Sequence, residues 1–176
     1  MTEDGPGSHA QADLVEAFAR EASRSGWTRA TLRRFCADRG IGEAETAERW
    51  PDGVRGLGRA FNDDADARMK GALEGLPGLT LTGILMARFA QNADRKGAVA
   101  RLAWSDLFHP LDTLGRTART ARLMLAMRSE KQGGSATSRL VLAYCLAVLV
   151  WLGDRTVDQR LTRRAVRLGL LLVGLR

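Results

Sequence analysis

The chain has 176 residues, 45% of them hydrophobic and 27% charged, with a formal net charge of +7. That is enough apolar material for one compact unit, or for a small head joined to a larger helical body, and it excludes a disordered polymer. Cys36 and Cys145 lie far apart in apolar helical patterns and read as buried thiols of a reducing cytoplasm, not as a disulfide or a metal pair.

Residues 1–9 are polar, acidic and Gly/Pro-containing, and read as a disordered lead without the features of a secretory or transit signal. Leu14, Val15, Ala17, Phe18 and Ala22 recur at helical spacing and predict a helix from Gln11 to Ser25, closed by Gly26. A second helix follows over Thr31–Arg39, stopped by Gly40. A third covers Glu43–Trp50 and is broken by Pro51-Asp52-Gly53. A long helix from Val54 to Leu73 runs to the Gly75–Gly78 turn. Beyond it the pattern predicts helices at about 81–92, 96–108, 111–128, 136–153 and 157–174. His109-Pro110 separates the second of these from the third, because a residue before proline leaves the helical region. Gln132–Ser135 reads as a loop. The expectation is an all-α chain with a three-helix head at 10–53, a connecting helix at 54–75 and a helical body at 76–176. The longest uncharged apolar run, Leu140 to Gly153, is shorter than the ~20 residues of a membrane span. The expected location is the cytoplasm, with peripheral membrane contact allowed.

The positive charge is unevenly placed. Residues 1–75 hold 11 Lys and Arg against 14 Asp and Glu, a balance of −3; residues 76–176 hold 16 against 6, a balance of +10. This matters because the order Leu14–Ala17, Gly26–Trp27, Thr31–Leu32, Phe35–Ala37, Gly40–Ile41 and Trp50–Pro51 resembles the DNA-binding head of TetR-type repressors. That resemblance implies a helix-turn-helix whose third helix reads the major groove. Such a helix needs donors for bases and cations for phosphates. Here it is Glu43-Ala44-Glu45-Thr46-Ala47-Glu48-Arg49-Trp50, with three carboxylates and one arginine. DNA is therefore the disfavoured partner. In the alternative reading, a ligand-responsive transcriptional regulator, Thr31, Arg33, Arg34, Thr46 and Arg49 would make the contacts.

A second resemblance is closer. Gly26-Trp27-Thr28 and Trp50-Pro51-Asp52-Gly53, followed by Leu57 and Phe61, look like the Coq-nine family of ubiquinone-biosynthesis accessory proteins and its bacterial relatives, which share the repressor fold. Ala98–Leu102, Pro110, and Val150–Thr156 followed by Leu161–Arg164 are similar to that family's later helices and closing Arg-Arg helix. The resemblance runs thinly over residues 13–168. It implies a homodimer with an apolar pocket in each body, taking a lipid or isoprenoid and presenting it to a partner enzyme, with no catalysis of its own. Residues 120–128 carry neither the Asp nor the Trp of the family's corresponding stretch, so an apolar ligand is implied more firmly than a quinone.

The body supports binding on its own terms. The helix at 136–153 is apolar almost all round and needs cover on every side. A homodimer through residues 136–174 supplies it. Trp104, Phe108, Leu111, Leu114, Met124, Met127, Tyr144 and Trp151 are the candidates for lining an apolar cavity, although each also fits an ordinary core. Arg116, Arg119 and Arg122, and Arg160, Arg163, Arg164 and Arg167, form basic stripes suited to anionic lipid, an acidic partner, or pairing across a dimer with Asp154 and Asp158. Asp63, Asp64 and Asp66 read as capping or solvated carboxylates. No metal spacing, nucleophile elbow, phosphate loop or dinucleotide fingerprint occurs, so the expectation is no enzyme, no cofactor and no metal.

Overall fold

A computed structural model describes residues 6–128 and 134–175 of the chain. Every regular element among them is a helix. The α-helices are α1 (Pro6–Ser25), α2 (Arg29–Ala37), α3 (Glu43–Arg49), α4 (Val54–Leu73), α5 (Leu81–Ala90), α6 (Lys96–Asp106), α7 (Pro110–Met127), α8 (Gly134–Gly153) and α9 (Arg160–Leu172). A single 3-10 turn, Ala93–Arg95, precedes α6. The stops follow from local chemistry. Gly26 adopts a φ of 87° and donates its N–H to the Ala22 carbonyl at 2.8 Å, closing α1. Thr28 caps α2 by accepting the Thr31 N–H at 3.1 Å.

Three helix starts differ from the sequence reading, and α6 differs in the unit it joins. Helix α1 begins at Pro6, so residues 6–9 are helical and not part of a disordered lead; residues 1–5 lie outside the described set. Proline at a helix start costs nothing, because its missing N–H has no intrahelical partner there. Helix α8 begins at Gly134, where a loop was expected, and runs 20 residues. It is thus long and apolar enough, by length and composition alone, to cross a membrane, which corrects the length counted from Leu140. Helix α9 starts at Arg160, later than the expected 157, after Gln159 in the left-handed region at φ 51°.

The chain divides into two compact units: residues up to Asp64 with Asp94–His109, and Ala65–Ala93 with Pro110 onward. Helix α4 runs through the division. Helix α6, read from sequence as part of the body, belongs to the first unit. There it packs on α1, with Gly97 close to Ser23, and it receives the Trp27 indole N–H on the Ala98 carbonyl at 2.9 Å. The core of this unit is aromatic. Phe18 makes edge contacts with Trp27 and Phe35, and Trp27 tilts against Phe61, with ring centroids 5.2–5.4 Å apart. Val15, Leu32, Trp50 and Leu57 complete the core. Each such side chain, fully buried, contributes about 1.5–3 kcal/mol.

In the second unit α8 packs most heavily against α9 and α7. Leu140, Ala143, Ala147 and Trp151 form its buried face, and Thr162, Val166, Gly169 and Leu170 that of α9. Gly169 faces Ala143 closely enough that an added Cβ would sit 3.5 Å from the alanine methyl. Small residues at this crossing let the two backbones approach. Phe89 stacks between Tyr144 and Trp151.

Candidate functional site

A broad concavity lies in the first unit, between α2 and α3. Helix α3 has seven residues, none of them buried, and Ala44 and Ala47 stand where larger apolar side chains would seat a packed helix. Only its C-cap, Trp50, reaches the core. The gap is a groove of about 810 Å³ lined by Leu32, Cys36, Ile41, Ala47 and Trp50 on its apolar side. Arg29 and Arg33, one turn apart on α2, and Glu43 stand at its polar edge. The indole N–H of Trp50 is buried and has no hydrogen-bond partner. No sequence signal singled out this groove, because its cause is a deficit of volume on α3.

Of the five residues of the DNA-reading alternative, Thr31, Arg34, Thr46 and Arg49 are engaged within the fold. Thr31 is buried, with its hydroxyl shared between Thr28 and the Ser25 carbonyl, so it cannot reach a base. Arg34 donates to Glu21 at 2.9 Å and to Ser25 at 2.8 Å, and this pairing holds the Glu21 carboxyl below its ordinary range. Arg49 pairs with Glu45 at 2.6 Å on α3 itself. Thr46 back-bonds to the Gly42 carbonyl. Arg33 alone of the five is exposed with no ion-pair partner among the described residues. Glu43, Glu45 and Glu48 are exposed.

The eight residues expected to line a body cavity are divided between the two units. Trp104 and Phe108 belong to the first unit and are 67% and 81% exposed. Leu111 and Leu114, in the second unit, are 83% and 53% exposed. Met124 and Trp151 are core residues, and Met127 and Tyr144 are half-buried. Residues 104–114 are the end of α6, a turn and the start of α7, and span the division between the units. A second uncovered surface runs along α8, where Leu142, Leu146, Leu149 and Val150 are exposed at i, i+4, i+7 and i+8. Leu161, Leu168, Leu171 and Leu172 are exposed on α9.

Three polar devices escaped the sequence reading. Asp66, read as capping or solvated, is buried on α4. It accepts from Arg88 of α5 and from the Thr120 hydroxyl of α7 at 3.0 Å, while Arg88 Nε donates to the Tyr144 hydroxyl of α8 at 2.8 Å. Four helices are thereby tied by one ion pair. In the first unit, Arg95 is buried against Phe61 and donates to Glu16 and Asp64. The third device is Asp154, read as a possible partner for arginines across a dimer. It is instead buried in the α8–α9 turn. One carboxylate oxygen accepts the Thr156 hydroxyl and N–H at 2.6 and 3.0 Å; the other accepts the Thr162 N–H and hydroxyl, both at 2.8 Å. The Thr156 hydroxyl contact leads these interactions in holding the carboxyl well below the usual carboxylate range. Asp158 pairs with Arg160 beside it.

Cys36 and Cys145 are free thiols, and burial pushes the Cys145 thiol up. Among the described residues no group of three or more His, Cys, Asp or Glu side chains is arranged to hold a metal ion. No protein-family model matches the chain, and a search of curated proteins finds no match.

Proposed function

We propose that this chain is a non-catalytic binding protein that pairs with a second copy of itself and carries a lipid or isoprenoid-type molecule, in the manner of the Coq-nine family it resembles. The observation that carries the reading is the uncovered apolar surface of the second unit. A soluble helix exposes apolar residues singly, not as an unbroken line such as Leu142–Leu146–Leu149. Helix α8 buries its other face against α7 and α9, so the open line needs an apolar partner. A second copy is the economical one, because an isologous contact lays α8 and α9 of each copy against the same pair in the other. The exposed Leu111 and Leu114 of the second unit offer apolar area to a lipid or to the enzyme that receives it. The exposed Arg163, Arg164 and Arg167 of α9 add affinity for anionic headgroups.

The carboxylates of α3 weigh against DNA. Polyanion binding rests on cations that release counterions, and α3 brings three exposed glutamates and an arginine already paired within the helix. Mass spectrometry of an organic extract of the purified protein tests the lipid reading. An apolar molecule recovered at near one per chain is the expected result. An empty extract, together with salt-sensitive, sequence-selective capture of duplex DNA, would replace this reading with that of a regulator.

A further inference from the structure

The groove between α2 and α3 has a composition of its own. Its apolar side is Leu32, Cys36, Ile41, Ala47 and Trp50, and its volume of about 810 Å³ falls in the range that holds a drug-sized ligand, roughly 300–1,000 Å³. One edge carries Arg29 and Arg33, spaced i, i+4 on α2, exposed and without an ion-pair partner among the described residues. Other arginines of this unit are committed: Arg34 to Glu21, Arg49 to Glu45, Arg59 to Asp52, Arg95 to Glu16 and Asp64. Trp50 adds a buried N–H donor with no acceptor, the kind of group that costs free energy until something accepts from it.

We propose that this groove is a binding site for a small amphiphilic carboxylate, whose apolar chain lies along Leu32, Ile41 and Ala47 while Arg29 and Arg33 hold the carboxylate. The charge pattern supports an anion on the α2 side, since α2 brings Arg29 and Arg33 to the lining, whereas Glu43 of α3 and Asp52 of the turn after it, beside Arg55, bring carboxylates. An arginine pair receives a carboxylate through charge-assisted, often bidentate hydrogen bonds. A small molecule fits better than a docked protein segment. Helix α3 is seven residues, about 10 Å long at 1.5 Å per residue, whereas a stable protein contact needs about 800 Å² from each partner. The proposal deepens the lipid-binding reading by naming the ligand's headgroup and a seat in the first unit; it rests on that reading only in the class of ligand.

The test uses the full chain with laurate and with uncharged dodecanol as probes, followed by calorimetry and by amide and indole NMR shifts. Laurate is expected to bind once per chain and to shift the signals of Arg33, Ile41, Ala47 and the Trp50 indole N–H. Dodecanol, and laurate with the Arg29→Gln/Arg33→Gln variant, are expected to bind at least tenfold more weakly. Ala47→Leu, on a helix face with nothing buried, is expected to fill the groove and abolish binding. Laurate shifts confined to residues 81–175, or binding indifferent to all three substitutions, would overturn the groove while leaving the lipid-carrier reading intact. Failure of laurate to bind, with a lipid still recovered from the extract, would do the same. Failure of both probes and an empty extract would overturn the groove and the carrier together.

Discussion

The two units of this chain solve the same packing problem differently. The first closes its core with interlocked aromatic rings, and only the short α3 is left loosely seated. The second fixes its helices with a buried ion pair and a carboxylate-locked turn, yet leaves whole apolar lines of α8 and α9 open. The lesson is that apolar content does not measure self-sufficiency. Helix α8 is the most apolar of the described helices, yet it leaves Leu142, Leu146, Leu149 and Val150 exposed.

The sharpest way to break this comparison is to remove one half of the ion pair. Asp66→Ala leaves the Arg88 guanidinium buried and uncompensated, and is expected to cost about 3–5 kcal/mol in urea unfolding. Replacing both partners, Asp66→Leu with Arg88→Met, is expected to recover most of that loss, because two apolar groups need no compensation. In the first unit Phe18→Ala is expected to cost about 3–5 kcal/mol, typical of a large aromatic cut from a packed core. Comparable losses at the two sites would show that ionic and aromatic anchoring carry similar weight.

The next effect is on association. Leu146→Glu with Leu149→Glu places two carboxylates on the open face of α8. It is expected to halve the mass seen by light scattering with little change in helicity. A variant that keeps the wild-type mass would move the contact elsewhere.

Acid dependence gives a smaller, signed effect. The Asp154 carboxyl is depressed in the folded state relative to about 3.9 in an unfolded chain. Its contribution is therefore fully present above that value and is lost as pH falls through the lower, folded-state value. Thermal melts from pH 7 down to pH 2 are expected to show this fall in the wild type. Asp154→Asn should flatten it, at the expense of a lower melting temperature near neutrality. The smallest effect is electrostatic. Changing Glu43, Glu45 and Glu48 to Lys is expected to strengthen salt-sensitive duplex binding relative to the wild type.

Much of the fold was legible because its punctuation is local. Gly26, Gly40 and Pro51 end or break helices by backbone geometry alone, and the Val54–Leu73 helix has the expected ends. What escaped depends on long-range partners. Nothing near Lys96–Asp106 announces that its Ala98 carbonyl will receive the Trp27 indole, so α6 was read as part of the body. Asp63, Asp64 and Asp66 look alike in sequence; only packing against Arg88 and Thr120 makes Asp66 a buried ion. Trp104, Phe108, Leu111 and Leu114, read as lining a cavity or filling a core, are exposed, because apolarity alone does not say what covers a side chain. The groove beside α3 was illegible for the opposite reason, since it arises from small residues that carry no motif.

The account stands or falls on whether the open apolar surface of the second unit is met by another copy and an apolar guest. Native mass spectrometry of the gently purified protein reads both at once. The predicted result is a species of twice the 19.2 kDa chain mass, carrying adducts that strip away as neutral apolar molecules. A bare single-chain species across the micromolar range, with no adduct, would contradict it.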